Sequence, residues 1–321
     1  MSLPELLHSA ERATWPIVAQ SLDLPGCERP LAYALQYWPS TLRNLLRPHR
    51  LRAQVQAPRL VAAVAVPAAL RQRWEQLFNA DARCPLLVNQ SVGTLLYTRL
   101  FGQLGLNFRH LLHLQHRTLH ASSPEALAAS PRQQLDCHLE GCWRLPDDKA
   151  LVALRTEILR PLAEGGAPLA TVQDRFLIRR VRRSDWEQLP PVEGRGPLRE
   201  LVGLRRRRAE LDPAQGLELA LALPRDLGRR YGGVSGDHNP VHTAAWAARL
   251  FGLRRPFVQG LALRSLIVAA LHRLDLPLQS LQLTFAQPAY LGQMLRLVLQ
   301  DERFELLDEA QQVVAFGRSS D

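Results

Sequence analysis

Alternation at Leu281, Leu283 and Phe285 predicts a half-buried strand, and apolar segments of strand length recur at Leu217–Leu223, Met294–Gln300, Phe304–Leu307 and Val313–Phe316. Among them lies Gly260–Leu274, apolar on nearly every face, with Arg264 the one early interruption. A helix that is hydrophobic all round belongs inside a structure rather than on its surface. A shorter helix is predicted from about Thr243 to Phe251, with Gly252 placed to end it, and a turn from Pro288 to Gly292. One buried helix followed by a run of antiparallel strands predicts a sheet curled around that helix, an α+β fold.

The first half of the chain repeats this grammar faintly. Pro85–Gln90 opens an apolar helical stretch to about Leu104, and strands are predicted at Leu111–Thr118, Leu135–Trp143, Ala150–Ile158 and Thr171–Arg179. Pro85 stands to its strand much as Pro256 stands to Leu281–Phe285, which points to a degenerate duplication. The Pro/Gly-rich stretch 184–197 has linker composition. The division is therefore 1–183, a linker 184–197, and 198–321.

Composition narrows the class. The chain has 321 residues, 46% apolar and 22% charged, which excludes wholesale disorder. Its formal charge is +10, nearly all of the positive side arginine, with Lys149 the sole lysine. That fits genomic base composition, a preference for phosphate-bearing partners, or both, and charge alone does not choose between them. The basic runs Arg179–Arg183 and Arg205–Arg208 lack the interleaved aromatics of a nucleic-acid platform, so no specific nucleic-acid partner is expected. Cys27, Cys84, Cys137 and Cys142 are too sparse for a disulfide framework. Cys137, His138 and Cys142 have no second pair to complete a tetrahedral site, so no metal is expected. Met1–Leu24 lacks the pattern of a signal peptide, and no apolar run reaches the roughly 20 residues of a membrane span. A cytoplasmic location is the expectation.

One stretch stands apart: Tyr231-Gly-Gly-Val-Ser-Gly-Asp-His-Asn-Pro-Val-His242. It reads as a tight glycine-permitted turn running into a helix, capped by Asn239 or Thr243. Asp237 and His242 would meet across that turn as a carboxylate–imidazole acid/base pair on one water. The same spacing also fits capping and surface residues, and His238 is an alternative imidazole. Gly260, at the start of the buried helix, would present an unpaired amide to a carbonyl oxygen. Such a set suits adding water to, or removing it from, a carbon β to a carbonyl.

Ser235–His242 (Ser-Gly-Asp-His-Asn-Pro-Val-His) resembles the hydratase 2 signature of MaoC-like dehydratases, hot-dog-fold proteins that include (R)-specific enoyl-CoA hydratases. Arg255–Leu261 resembles the family's approach to its central helix, and Phe285–Gln293 its later strand and turn. The resemblance implies a double hot-dog, two antiparallel sheets each curled around a long central helix, merged into one continuous sheet or separate. It further implies reversible hydration of a trans-2-enoyl thioester, on CoA or acyl carrier protein, to the (3R)-3-hydroxyacyl thioester. Asp237 and His242 would activate water, and the Gly260 amide would polarise the carbonyl. Asn239, Gln259, Ser235 and Gly236 would complete the substrate site, with no cofactor beyond the CoA or phosphopantetheine of the substrate itself. Gln259 departs from the histidine common before that glycine. The first half lacks the dyad and would serve as an acyl-chain platform, with Leu86, Leu87, Val88, Leu95 and Leu96 along it. A non-catalytic acyl-thioester-binding or partner-stabilising subunit is the alternative, and a homodimer and a hetero-oligomer both stay open.

Overall fold

The computed structural model describes residues 18–22, 58–107, 110–121, 123–187 and 207–321, together with 39, 42, 43 and 189. Cys27, Arg205, Arg206 and most of the predicted linker (188 and 190–197) lie outside the described residues. Strands β1 (Val18–Leu22), β2 (Pro58–Ala65), helices α1 (Ala68–Phe78) and α2 (Gln90–Gln103), β3 (Leu111–His120), α3 (Pro124–Ala129), β4 (Arg132–Leu145), β5 (Lys149–Leu159) and β6 (Pro168–Ile178) come first. After the turn α4 (Arg183–Trp186) follow β7 (Leu217–Ala222), α5 (Leu227–Ser235), α6 (Ala245–Leu250) and α7 (Gly260–Arg273). Strands β8 (Ser280–Phe285), β9 (Met294–Gln300), β10 (Arg303–Leu307) and β11 (Val313–Ser320) close the chain.

The eleven strands among the described residues form one sheet in the order β1-β2-β4-β5-β6-β3-β8-β11-β10-β9-β7. Numbered within its own half, β2 to β6 follow the order 1-3-4-5-2 inward from β1, and β7 to β11 follow the same order inward from the other edge. The second strands of the halves, β3 and β8, meet antiparallel at the centre, with His116 opposite Leu283 and Thr118 opposite Leu281. Each half places its long helix between its first and second strands, α2 and α7 respectively. The merged form of the expected double hot-dog is therefore the one observed.

Helix α7 is buried for the reason the sequence gives, the lack of a polar face, whereas α2 buries polar Gln90, Ser91 and Thr98 along with its apolar side chains. Leu95, Leu96 and Leu100 of α2 and Ile267, Val268 and Ala270 of α7 are fully inaccessible, in one core that runs through both halves. Each large apolar side chain so buried contributes about 1.5–3 kcal/mol. Leu86, Leu87 and Val88 are part of that core as well. Arg264 is the exception on α7: fully buried, it donates to the Pro85 carbonyl (3.3 Å) and to Thr118 Oγ1 (3.4 Å), tying α7 to the first half. Burial brings its guanidinium down to about 10.

Strands β3 to β11 match their predicted positions to within a few residues, but other elements differ. The Gly-rich stretch is not a turn: Tyr231–Ser235 is the last part of helix α5. Residues 240–242 form a separate 3₁₀ turn, and α6 starts only at Ala245. Strands β1 and β2 and helix α1 match no element predicted from the sequence. At the start of the predicted linker, Trp186 Nε1 donates to the Leu145 carbonyl (2.8 Å), so α4 is pinned to the β4–β5 hairpin. No helix among the described residues is long and apolar enough to cross a membrane.

Candidate active site

Helix α5 delivers the signature loop. Its last residue, Ser235, is fully buried; its hydroxyl donates to the Tyr231 carbonyl (2.8 Å) and accepts the Asp237 amide (3.2 Å). Ser235 therefore shapes the loop that carries Asp237. Gly236 adopts φ +76° as the residue that ends the helix, a conformation glycine takes without strain. Gly232 and Gly233, expected to use the same freedom, are helical instead. The glycine at 228 has a different cause: a Cβ there would lie 2.2 Å from the His242 carbonyl oxygen.

Asp237 and His242 come together as the spacing suggests. Asp237 Oδ2 lies 3.9 Å from His242 Nε2, while Asp237 Oδ1 accepts the Asn239 amide at 3.2 Å. Asn239 holds the carboxylate through its backbone; its side chain accepts the Val241 amide (3.3 Å) and caps the 3₁₀ turn that carries His242. His242 Nδ1 donates to the Phe257 carbonyl (2.9 Å), and the neutral ring therefore presents a lone pair at Nε2. Burial lowers the His242 pKa from its ordinary 6.5, against the opposing pull of Asp237 and the Phe257 carbonyl. The ring also meets Phe257 edge-on at 4.6 Å. His238, the alternative imidazole, is exposed.

Gln259 caps the start of α7 by position, but its amide reaches backward. Nε2 donates to the carbonyls of Gly228 (3.2 Å) and Asp237 (3.3 Å), and Oε1 is buried without a hydrogen-bond partner. Gln259 thus clasps α5 and the Asp237 loop to the helix start. Gly260 opens α7, where the amide has no carbonyl within the helix to bond and the dipole is positive. A water-polarising pair and an amide donor at a helix start can together activate water and stabilise charge on a carbonyl oxygen.

The sequence reading missed a second polar cluster on β3 and β6. His113 Nε2 and His116 Nδ1 both lie 2.8 Å from Asp174 Oδ1, and Tyr97 donates to Oδ2 at 2.5 Å. In a flat strand, residues three apart face opposite ways. The register shifts between His113 and Gln115, a bulge that turns both rings to the same face. Burial opposes the charge on Asp174, yet the two histidines facing it, His116 and His113, hold it well below the usual carboxylate range. Burial also lowers His116. These three side chains are the group among the described residues whose ligand atoms converge closely enough for a metal ion. Cys137 and Cys142, weighed as ligands from the sequence, are buried thiols pushed upward by desolvation, Cys142 to about 12.

Residues 209–319 match the family described as MaoC like domain. No curated protein matches the chain. Among solved structures, HtdX from Mycobacterium tuberculosis superposes with a TM-score of 0.54 at 17% identity, covering 80% of this chain and 98% of that one. The full-length peroxisomal multifunctional enzyme type 2 from Drosophila melanogaster gives 0.54 at 17% identity, over 82% of this chain and 48% of that one. A MaoC domain protein from Chloroflexus aurantiacus gives 0.52 at 12% identity, over 85% and 97%. At these identities the likeness is one of fold, and the fold is shared over both halves.

Proposed function

We propose that the protein is a hydro-lyase acting on acyl thioesters, a reading supported by the match of residues 209–319 to the MaoC like domain family. Its reaction in this reading is the reversible hydration of a trans-2-enoyl thioester to the (3R)-3-hydroxyacyl thioester, with no cofactor beyond the carrier of the substrate. The observation that carries the reading is the pairing of Asp237 Oδ2 with His242 Nε2 at 3.9 Å, each held from its other end by backbone. A direct hydrogen bond is shorter than this, so both groups remain able to bond a single water.

In the hydration direction, water held by Asp237 and by the Nε2 lone pair of His242 adds its oxygen to the β-carbon. One of the pair takes the water's proton, and a proton is returned to the α-carbon. The Gly260 amide bonds the carbonyl oxygen, where negative charge gathers as the C–O bond forms. Exposed Arg229, Arg230, Arg254 and Arg255, on α5 and in the segment before α7, suit the acidic carrier, whether CoA phosphates or an acyl carrier protein. We place the unit boundary in the segment around 184–197 and give the first half a supporting role toward the acyl chain. The experiment is dehydration of the two 3-hydroxybutyryl-CoA enantiomers: turnover of the (3R) form alone supports the reading, and turnover of the (3S) form alone contradicts it.

A further inference from the structure

We propose that His113, His116 and Asp174, all from the first half of the chain, form a binding site for a divalent first-row transition ion. The site lies outside the loop of Asp237 and His242, and its occupancy is independent of the reaction proposed above.

Three electron-pair donors converge there. Asp174 Oδ1 stands 2.8 Å from His113 Nε2 and 2.8 Å from His116 Nδ1, and the three atoms all lie within 4.8 Å of one another. Two ligand atoms each about 2.1 Å from one ion lie about 3.0 Å apart at a right angle, and about 4.2 Å apart on opposite sides of it. The carboxylate oxygen is thus spaced from each ring nitrogen as neighbouring ligands are. The Gln115 carbonyl oxygen, 3.0 Å from His113 Nε2, also lies in front of that nitrogen and is placed as a fourth donor. Two imidazoles and a carboxylate suit zinc, nickel or iron, whereas magnesium and calcium take oxygen ligands.

Each ligand is also held from behind, which is how metal ligands are oriented. His116 meets Thr118 Oγ1 through Nε2 at 2.8 Å, and Tyr97 of α2 donates to Asp174 Oδ2 at 2.5 Å. The His113 ring is clamped by a stacked Phe176 (centroids 4.7 Å, 19° between planes) and a tilted Phe285 (4.9 Å). Its Nδ1 is turned toward the start of α7, where a Cβ built on Gly260 would lie 3.3 Å away, and Nε2 is left to face the cluster. The bulge in β3 brings both rings to the face that Asp174 of β6 shares. His116 and Asp174 are sealed from solvent, at 0% and 1% exposure, and His113 at 19% marks the side from which an ion and a ligand water enter. Bound there, the ion ties β3 to β6 and, through Tyr97, to α2.

The test uses the tag-free full chain, stripped with a chelator, dialysed, and titrated with Zn²⁺ or Co²⁺ in separate samples. Wild type should bind one equivalent of Zn²⁺, with Tm raised by about 5 °C once the free ion is about 100-fold above its Kd. Co²⁺ should give the visible absorption bands of a nitrogen- and oxygen-bound ion. His113→Phe keeps an aromatic ring between Phe176 and Phe285 but removes both nitrogens, and should weaken binding at least about 100-fold. Asp174→Asn should do the same; where it fails to fold, the comparison with His113→Phe decides. Equal uptake by wild type and His113→Phe overturns the proposal, since exposed histidines such as His238 are then the binders. So does a wild type with neither a Tm shift nor visible bands, which leaves His113, His116 and Asp174 as a hydrogen-bonded network alone. No turnover is measured, so neither result bears on the hydration reading.

Discussion

Asp237 Oδ2 stands 3.9 Å from His242 Nε2 while the far end of each side chain is tied to backbone, Asp237 to the Asn239 amide and His242 to the Phe257 carbonyl. Two residues so fixed act as a unit, and loss of either should remove most of the activity. Asp237→Asn and His242→Ala are each expected to cut the hydration rate about 10²–10⁴-fold. Their double variant should be little worse than the single ones. Steady-state kinetics, with thermal melts to confirm folding, check this.

The same pair sets the acid limb of activity. Burial lowers the His242 pKa below 6.5, so the ring is neutral at pH 7 and gains its proton only as pH falls below that value. Nε2 must present a lone pair to water, so kcat/KM should be flat above pH 7 and fall with a midpoint below 6.5. A midpoint above 7 in a pH profile would count against His242 as the group.

Gly228 should be irreplaceable in a way its sequence position does not announce. A methyl group there would meet the His242 carbonyl oxygen at 2.2 Å, so Gly228→Ala must push α5 away from the turn bearing His242. Overpacking of this kind costs about 1–3 kcal/mol, and the displaced imidazole should lower kcat more than KM. Gly233→Ala, where nothing lies within 4 Å, is the control that should leave both stability and rate near wild type.

Buried histidines make the fold acid-sensitive. His120 is brought down to about 4 by burial and by Arg264. The unfolded chain therefore takes up the proton first, and stability is complete above about pH 6.5 and lost as pH falls toward 4. That single group accounts for roughly 3 kcal/mol across the window. Urea midpoints measured from pH 7.5 to 4.5 should fall steadily, and His120→Gln should flatten the fall.

The strands were legible because each half-buried strand carries its alternation in the sequence, as Leu281, Leu283 and Phe285 do. Helix α7 was legible because it has no polar face. Helix α5 was not, since Gly232, Gly233 and Gly236 look like a turn when only the last takes a positive φ. The close packing of Gly228 and Gly232 on the loop, which forces the small residues, is a tertiary contact. Ser235 is a parallel case: its place in the signature says that it matters, and only its burial and hydrogen bonds show that it holds the loop. His113 and Asp174 are 61 residues apart and meet through a β-bulge. No local pattern in one sequence marks a bulge, so their cluster stayed invisible until the strands were paired.

If the arginines before α7 meet the carrier, reversing Arg254 and Arg255 to Glu should raise KM for an enoyl-CoA several-fold at low salt and leave kcat nearly unchanged. The effect should fade as added salt brings the screening length toward about 8 Å. Kinetics at two ionic strengths test it.

The central claim is that the loop bearing Asp237 and His242 adds water to an enoyl thioester. The most direct measurement is loss of the enoyl-thioester absorbance with crotonyl-CoA and a longer trans-2-enoyl-CoA, followed for wild type and Asp237→Asn side by side. The account predicts steady loss of the band with wild type on at least one substrate and almost none with Asp237→Asn. A folded wild type inert toward all chain lengths, on CoA and on acyl carrier protein alike, would contradict it and leave a non-catalytic thioester-binding subunit in its place.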